Sequence, residues 1–241
     1  MAKDWSDLVK AANKGKYLRA RPLKDPCGAG NDYNSVLDCD LEQLVRARLR
    51  RLPRVRLLDI GAGVGLAMRQ LKDSRADVAD RVDIVPIDLR GSSNVVQADL
   101  HTYEPASRFD LITSVYCWNY LPDKLEMLEH VNNDLLAASG QARIHFQSTL
   151  LSILNKQGSE LVPDEHAFDK FIGKHIPTAR YIYGARGTEP RVLVFEKRKH
   201  VTFPVILKDA RIPIAQKNYA RGRSTKSLPH TYIQSIYEVI Q

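Results

Sequence analysis

Residues 57 to 65 read Leu57-Leu58-Asp59-Ile60-Gly61-Ala62-Gly63-Val64-Gly65, an apolar run with one carboxylate that breaks into three alternating glycines. Val55 to Ile60 has the β-favouring character of a buried strand, and Leu66 to Leu71 resumes helical spacing, so the string predicts strand, glycine turn and helix in succession. Glycines at such a turn let the backbone reverse sharply and let a ligand approach main-chain N–H groups that a Cβ would shield. The spacing separates ligand classes. A dinucleotide fingerprint requires GxGxxG, with its third glycine for helix packing, whereas here Leu66 follows Gly65 and the spacing is GxGxG. Asp59, two positions before the first glycine, disfavours a pyrophosphate and suits a cationic ligand that donates hydrogen bonds. The combination points to a positively charged, phosphate-free cofactor.

Further strands are expected at Val82 to Ile87, Val95 to Val96, Phe109 to Val115 and Ala142 to Phe146, with helices between several of them, notably Lys124 to Leu136. Strands alternating with helices at this spacing imply an α/β fold, a doubly wound and mostly parallel sheet with helices on both faces. After a helix near Glu165 to Lys174, Arg180 to Tyr183 and Arg191 to Glu196 suit a hairpin that brings an antiparallel strand to the edge. Upstream, Leu41, Leu44, Val45 and Leu49 form a helical stripe over residues 40 to 52, with Asp38 or Asp40 as cap and Pro53 as stop. A final helix is expected from Pro229. Three units result: a basic amino-terminal helical segment (1–54), a core (55–200) and a basic carboxyl-terminal extension (201–241).

The motif after the first strand resembles that of the class I S-adenosylmethionine-dependent methyltransferases, acidic-x-GxGxG, and the resemblance extends over about residues 55 to 200. It implies a seven-stranded sheet and S-adenosylmethionine as cofactor, held by Asp59, Gly61, Ala62, Gly63 and Gly65. It implies that Asp88, in Val85-Pro86-Ile87-Asp88-Leu89, holds the ribose hydroxyls, and that Asp99, in Val95-Val96-Gln97-Ala98-Asp99-Leu100, meets the adenine amine. Leu89 and Leu100 flank those positions. Each carboxylate follows a predicted strand, at the carboxyl edge where open α/β sheets bind ligands. Should the loop after the first helix be shorter than its polar composition suggests, Asp83 takes the place of Asp88.

The segment closing the fourth strand, Ser114-Val115-Tyr116-Cys117-Trp118-Asn119-Tyr120, lies beside the transferable methyl group in that family. Ser114, Trp118, Asn119 and Tyr120 are therefore the catalytic-side candidates, with His145 as a base if it projects beyond the fifth strand. Packing of the aromatic residues under the sheet edge is the competing reading. Cys117 lacks the Pro-Cys setting of pyrimidine-attacking methyltransferases. The Asp/Asn-Pro-Pro-Tyr string of adenine and cytosine amine methyltransferases is absent, and the Lys-Asp-Lys-Glu tetrad of ribose methyltransferases does not map. The remaining resemblances are to small-molecule methyltransferases and to cap guanine nitrogen-7 methyltransferases, where Asn119-Tyr120 replaces His-Tyr. Asn31, Asp32 and Tyr33, after the Gly28-Ala29-Gly30 turn, are candidates to close over the cofactor.

Of the 241 residues, 36 are Lys or Arg and 28 Asp or Glu, and 44% are hydrophobic. These proportions exclude a disordered chain, a collagen and a disulfide scaffold. With three cysteines, no CxxC pair, no signal-peptide core and no long apolar run, the expectations are no metal site, no membrane segment and a cytoplasmic location. Charge is uneven: residues 1–56 carry 13 basic and 7 acidic groups, 57–150 carry 8 and 13, and 151–241 carry 15 and 8. The basic flanks therefore suggest an RNA partner and acceptor, against the alternatives of a small-molecule acceptor or a non-catalytic cofactor-binding subunit.

Overall fold

The computed structural model describes residues 30–73, 79–89, 91–115, 117–118, 124–145, 153–154, 160–162, 165–182 and 192–203. Its centre is a seven-stranded sheet built from β1 (Val55–Ile60), β2 (Val82–Asp88), β3 (Val96–Gln97), β4 (Phe109–Ser114), β5 (Leu136–His145), β8 (Arg180–Ile182) and β9 (Val192–Glu196). The order is β3-β2-β1-β4-β5-β9-β8. The first five strands are parallel, and the expected antiparallel strand is β9, which runs between β5 and the outermost β8. A separate two-stranded ribbon joins β6 (Ile153–Leu154) to β7 (Glu160–Val162).

Alternation along the strands sorts side chains onto two cores. Leu58, Ile60, Ile112, Ile144, Leu193 and Phe195 face one layer, which contains α4 (Lys124–His130) and α5 (Glu165–His175). Leu57, Leu111, Val192 and Val194 face the other, which contains α1 (Gly30–Val36), α2 (Leu41–Leu49) and α3 (Leu66–Asp73). Each fully buried apolar side chain contributes about 1.5–3 kcal/mol.

Helix α2 forms where its apolar stripe predicts: Leu41 and Val45 are buried, and the Asp40 carboxylate caps it by accepting from Gln43 N at 3.0 Å. Because Tyr33, Val36, Leu37, Leu41 and Val45 share a core with Val55 and Leu57, a boundary at residue 54 cuts through one packed layer. The expectation of a separate amino-terminal segment is corrected for residues 30–54. Strand β5 also begins earlier than Ala142, because α4 gives way to a π-helical turn, Val131–Leu135, that delivers the chain to the sheet at Leu136.

Proline inside β2 has a positional reason. Val55 N donates to Arg81 O and Gly61 N to Ile87 O, so odd-numbered residues of β2 bond to β1. Ala98 N donates to Asp88 O, so even-numbered residues face β3. Pro86 therefore lacks its N–H on the outer side, where β3 is two residues long.

Candidate cofactor site at the carboxyl edge of the sheet

The glycine loop sits over the ends of β1 and β2. Gly61 and Ala62 both donate their N–H to Ile87 O, at 2.9 and 3.0 Å, which folds the loop back onto β2. Gly63 N donates to Asp88 Oδ2 at 3.1 Å, so the second carboxylate is fixed to the loop and remains partly exposed. Gly61 and Gly63 have φ of 72° and 60°, in the left-handed region. They differ in surroundings. A Cβ on Gly61 would stand 2.2 Å from the Cys117 Cβ, whereas one on Gly63 would meet nothing within 4 Å. Gly61 thus serves packing, and the space above Gly63 is open.

Asp59 does not face that space. Strand alternation turns its side chain toward α1, where it is fully buried. Tyr33 donates its hydroxyl to Oδ2 at 2.9 Å, and Thr113 donates to Oδ1 at 2.7 Å. This corrects the expectation that Asp59 accepts directly from a cationic ligand: it braces the root of the loop. Thr113 was missed in the sequence. Its signal is a hydroxyl inside an otherwise buried apolar strand, level with Asp59 in the β1–β4 register.

Asp99 follows β3, partly exposed, and caps a short 3-10 turn (Leu100–Thr102). Its Oδ1 accepts from His101 N at 3.0 Å and lies 2.9 Å from His101 Nδ1. Leu89 is half-buried beyond Asp88, while Ala62 and Leu100 are buried. Asp83 pairs with Arg56 at 2.9 Å near the start of β2, far from the loop, so Asp88 takes the edge position.

The described catalytic-side candidates, Ser114, Trp118 and His145, are not brought together. Ser114 is fully buried and donates to Ile60 O at 3.1 Å, tying β4 to β1. Trp118 is fully buried in the α4–α5 core with Leu125 and Leu128. His145 is fully buried at the end of β5. By alternation it faces the side of Arg143, whose guanidinium donates to Leu37 O at 2.7 Å; that is the α1–α2 side, opposite Trp118. Neither Trp118 nor His145 reaches solvent, so the expectation that they present groups to an acceptor is corrected to packing positions. Asn119 and Tyr120 lie outside the described residues, as do the side chains of Asn31 and Asp32. Burial pushes the Cys117 thiol up to about 12, with the Asp88 and Asp59 carboxylates adding to the rise and a hydrogen bond with Ser114 opposing it. It stays protonated at neutral pH.

An open space over a left-handed glycine, flanked by a partly exposed carboxylate, fits an adenosyl cofactor without a phosphate. The profile of the family described as "Methyltransferase domain" matches residues 33–166, more than half of the sequence. The chain belongs to this family. It is an S-adenosylmethionine-dependent methyltransferase with the class I sheet order.

Similar solved structures include magnesium protoporphyrin IX methyltransferase from Synechocystis PCC 6803 with bound S-adenosylmethionine (14% identity, TM-score 0.49, 82% of this chain and 99% of that one). Another is the N-methyltransferase NodS from Bradyrhizobium japonicum WM9 with S-adenosylhomocysteine (14%, 0.41, 81% and 98%). A third is the CurJ carbon methyltransferase (14%, 0.48), of which the methyltransferase covers 60% while 82% of its own length is matched. No curated protein matches the sequence. Among the described residues, no helix is long and apolar enough to cross a membrane, and no cluster of three His, Cys, Asp or Glu side chains is placed to hold a metal.

Proposed function

We propose that this methyltransferase transfers a methyl group to a small-molecule acceptor, with the cofactor seated over Gly63 between Asp88 and Asp99. One observation carries the acceptor class. The carboxyl edge presents Asp88 and Asp99, whereas the described arginines of the basic amino-terminal cluster sit toward the other end of the strands. Arg48 donates to Ser139 O at 2.6 Å and Arg56 pairs with Asp83, and at the same end Arg81, from the central region, donates to Leu49, Leu52 and Pro53 carbonyls at 3.0–3.1 Å. A polyanionic acceptor such as RNA would approach an edge where the Asp88 and Asp99 carboxylates oppose it.

S-adenosylmethionine, when bound, would supply an electrophilic methyl on a sulfonium, whose carbon bonds to an acceptor lone pair as the bond to sulfur breaks and the thioether leaves. The chain's own contribution is position. Gly63 leaves room for close approach to the backbone, Asp88 would accept from the ribose hydroxyls, and Asp99 would accept from the adenine amine. Tyr33 and Thr113 hold Asp59 beneath the turn so that the loop does not need to reorganise when it is filled.

The test is transfer of labelled methyl from S-adenosylmethionine into extracted metabolites and, separately, into extracted RNA. Label in the metabolite fraction that persists after nuclease treatment supports the reading. Label confined to RNA would replace it with the RNA acceptor, and tight cofactor binding with no label in either fraction would favour the non-catalytic subunit.

A further inference from the structure

The amino edge of the sheet, where the parallel strands begin, carries a row of cations, some bonded within the fold as Arg81 is to the Leu49, Leu52 and Pro53 carbonyls, and two, Arg54 and Arg108, with no ion-pair partner among the described residues. Val55 stands opposite Val82 and Leu57 opposite Leu111. Counting back along the same registers places Arg54 level with Arg81 on one side and with Arg108 on the other. Each of the three central strands β2, β1 and β4 is thus immediately preceded by an exposed arginine. Adjacent strands lie about 4.8 Å apart, so three positive residues begin within about 10 Å of one another. The antiparallel β9 ends at this same edge and continues into Lys197, Arg198 and Lys199.

That continuation is anchored. Lys197 N donates to Gly140 O, its Nζ donates to Asn133 O and Leu136 O at 2.6 and 3.0 Å, and Asn132 Nδ2 donates to Lys199 O at 2.9 Å. Burial first and the Arg108 charge second lower the Lys197 ammonium pKa, with the Asp134 carboxylate raising it, so Arg108 lies within electrostatic reach of the β9 continuation.

Arg54 and Arg108 form no ion pair among the described residues, and Arg198 pairs with Glu196 at 2.8 Å while remaining 61% exposed. Exposed carboxylates at this end of the molecule include Asp73, Asp80, Glu104 and Asp134, with Asp83 held by Arg56. Like charges on neighbouring strands repel, and among the described residues no ion pair offsets that for Arg54 or Arg108. A ligand with evenly spaced negative groups would.

We propose that this edge is a second, non-catalytic surface that binds the phosphodiester backbone of a nucleic acid through Arg54, Arg81, Arg108, Arg198 and Lys199. A bound strand would lie at the end of the sheet away from the glycine loop, about 20 Å off at the rise of a six-residue strand, and would leave the cofactor edge free. The proposal does not depend on the acceptor assigned above.

Its test is fluorescence anisotropy of a labelled single-stranded RNA, the same sequence as DNA, and polyglutamate, each titrated with the full-length chain between about 50 and 200 mM salt. The logarithm of affinity is expected to fall linearly with the logarithm of salt, by about 0.7 per phosphate contacted. In the Arg54→Glu/Arg108→Glu variant, affinity should drop at least ~10-fold and the slope by about 1.4, with S-adenosylhomocysteine binding unchanged as the control for folding. Binding of RNA, of DNA or of both in this pattern supports the proposal and identifies the source of the backbone. Full affinity in the double variant, equal binding of polyglutamate, or displacement of the nucleic acid by S-adenosylhomocysteine overturns it.

Discussion

The Tyr33 hydroxyl donates to Asp59 Oδ2 at 2.9 Å inside the protein, joining helix α1 to the strand that launches the glycine loop. A hydrogen bond to a buried carboxylate is worth about 1.5–3 kcal/mol. Tyr33→Phe is therefore expected to lower stability by about that amount and to weaken S-adenosylhomocysteine binding, because Asp59 gains freedom beneath the loop. Chemical denaturation and calorimetry measure the two effects. Unchanged stability and unchanged binding would refute the bracing role.

Asp88→Asn separates anchoring from recognition. The amide oxygen still accepts from Gly63 N, so the fold should survive, while the charged acceptor for the ribose is lost. Cofactor affinity is expected to fall about 10- to 100-fold, the equivalent of one charged hydrogen bond. An affinity within twofold of the parent would remove Asp88 from the site.

The two loop glycines predict different failures. Gly61→Ala drives a methyl into Cys117 and imposes left-handed strain, so its melting temperature should fall markedly. Gly63→Ala meets open space and should cost about 1–2 kcal/mol for its φ alone, yet reduce cofactor affinity because the methyl occupies the approach to the backbone. A Gly63→Ala variant that binds normally would move the cofactor elsewhere.

Cys117 sets a pH dependence. Its thiol titrates near 9.0 when unperturbed and is pushed up to about 12 in the fold, so between those values the folded state holds a proton that the unfolded state has lost. Stability should decrease as pH rises from about 9 towards 12, and Cys117→Ala should flatten that decline. Thermal melts of both proteins across the alkaline range give the answer, and parallel curves would argue against it.

Most of the scaffold was legible from local pattern. β1 runs from Val55 to Ile60 as its composition implies, β2 extends the predicted Val82 to Ile87 by one residue, and α2 stops short of Pro53. These elements are decided by neighbours in sequence: apolar runs, a capping Asp and helix-breaking residues. What escaped was decided across the sheet. Asp59 is 26 residues from Tyr33 and 54 from Thr113, and its orientation follows from a strand parity that a motif does not contain. The chemistry-rich appearance of Ser114, Trp118 and His145 misled for the same reason, since buried polar and aromatic side chains look alike in sequence whether they serve a core or a substrate. The aggregate charge suggested basic flanks in service of the acceptor, whereas Arg54, Arg81 and Arg108 line up at the end of the sheet away from the glycine loop.

The bond from Arg143 to Leu37 O closes 106 residues of chain. Such a contact forms late, because the entropy of a long closure precedes any return from it. During synthesis the helices that begin the described protein therefore lack their central polar tether until β5 has been made. The glycine loop, although built from consecutive residues, acquires its rigid floor from Tyr33 upstream and Thr113 downstream, so a chain cut before β4 would carry the motif without the platform.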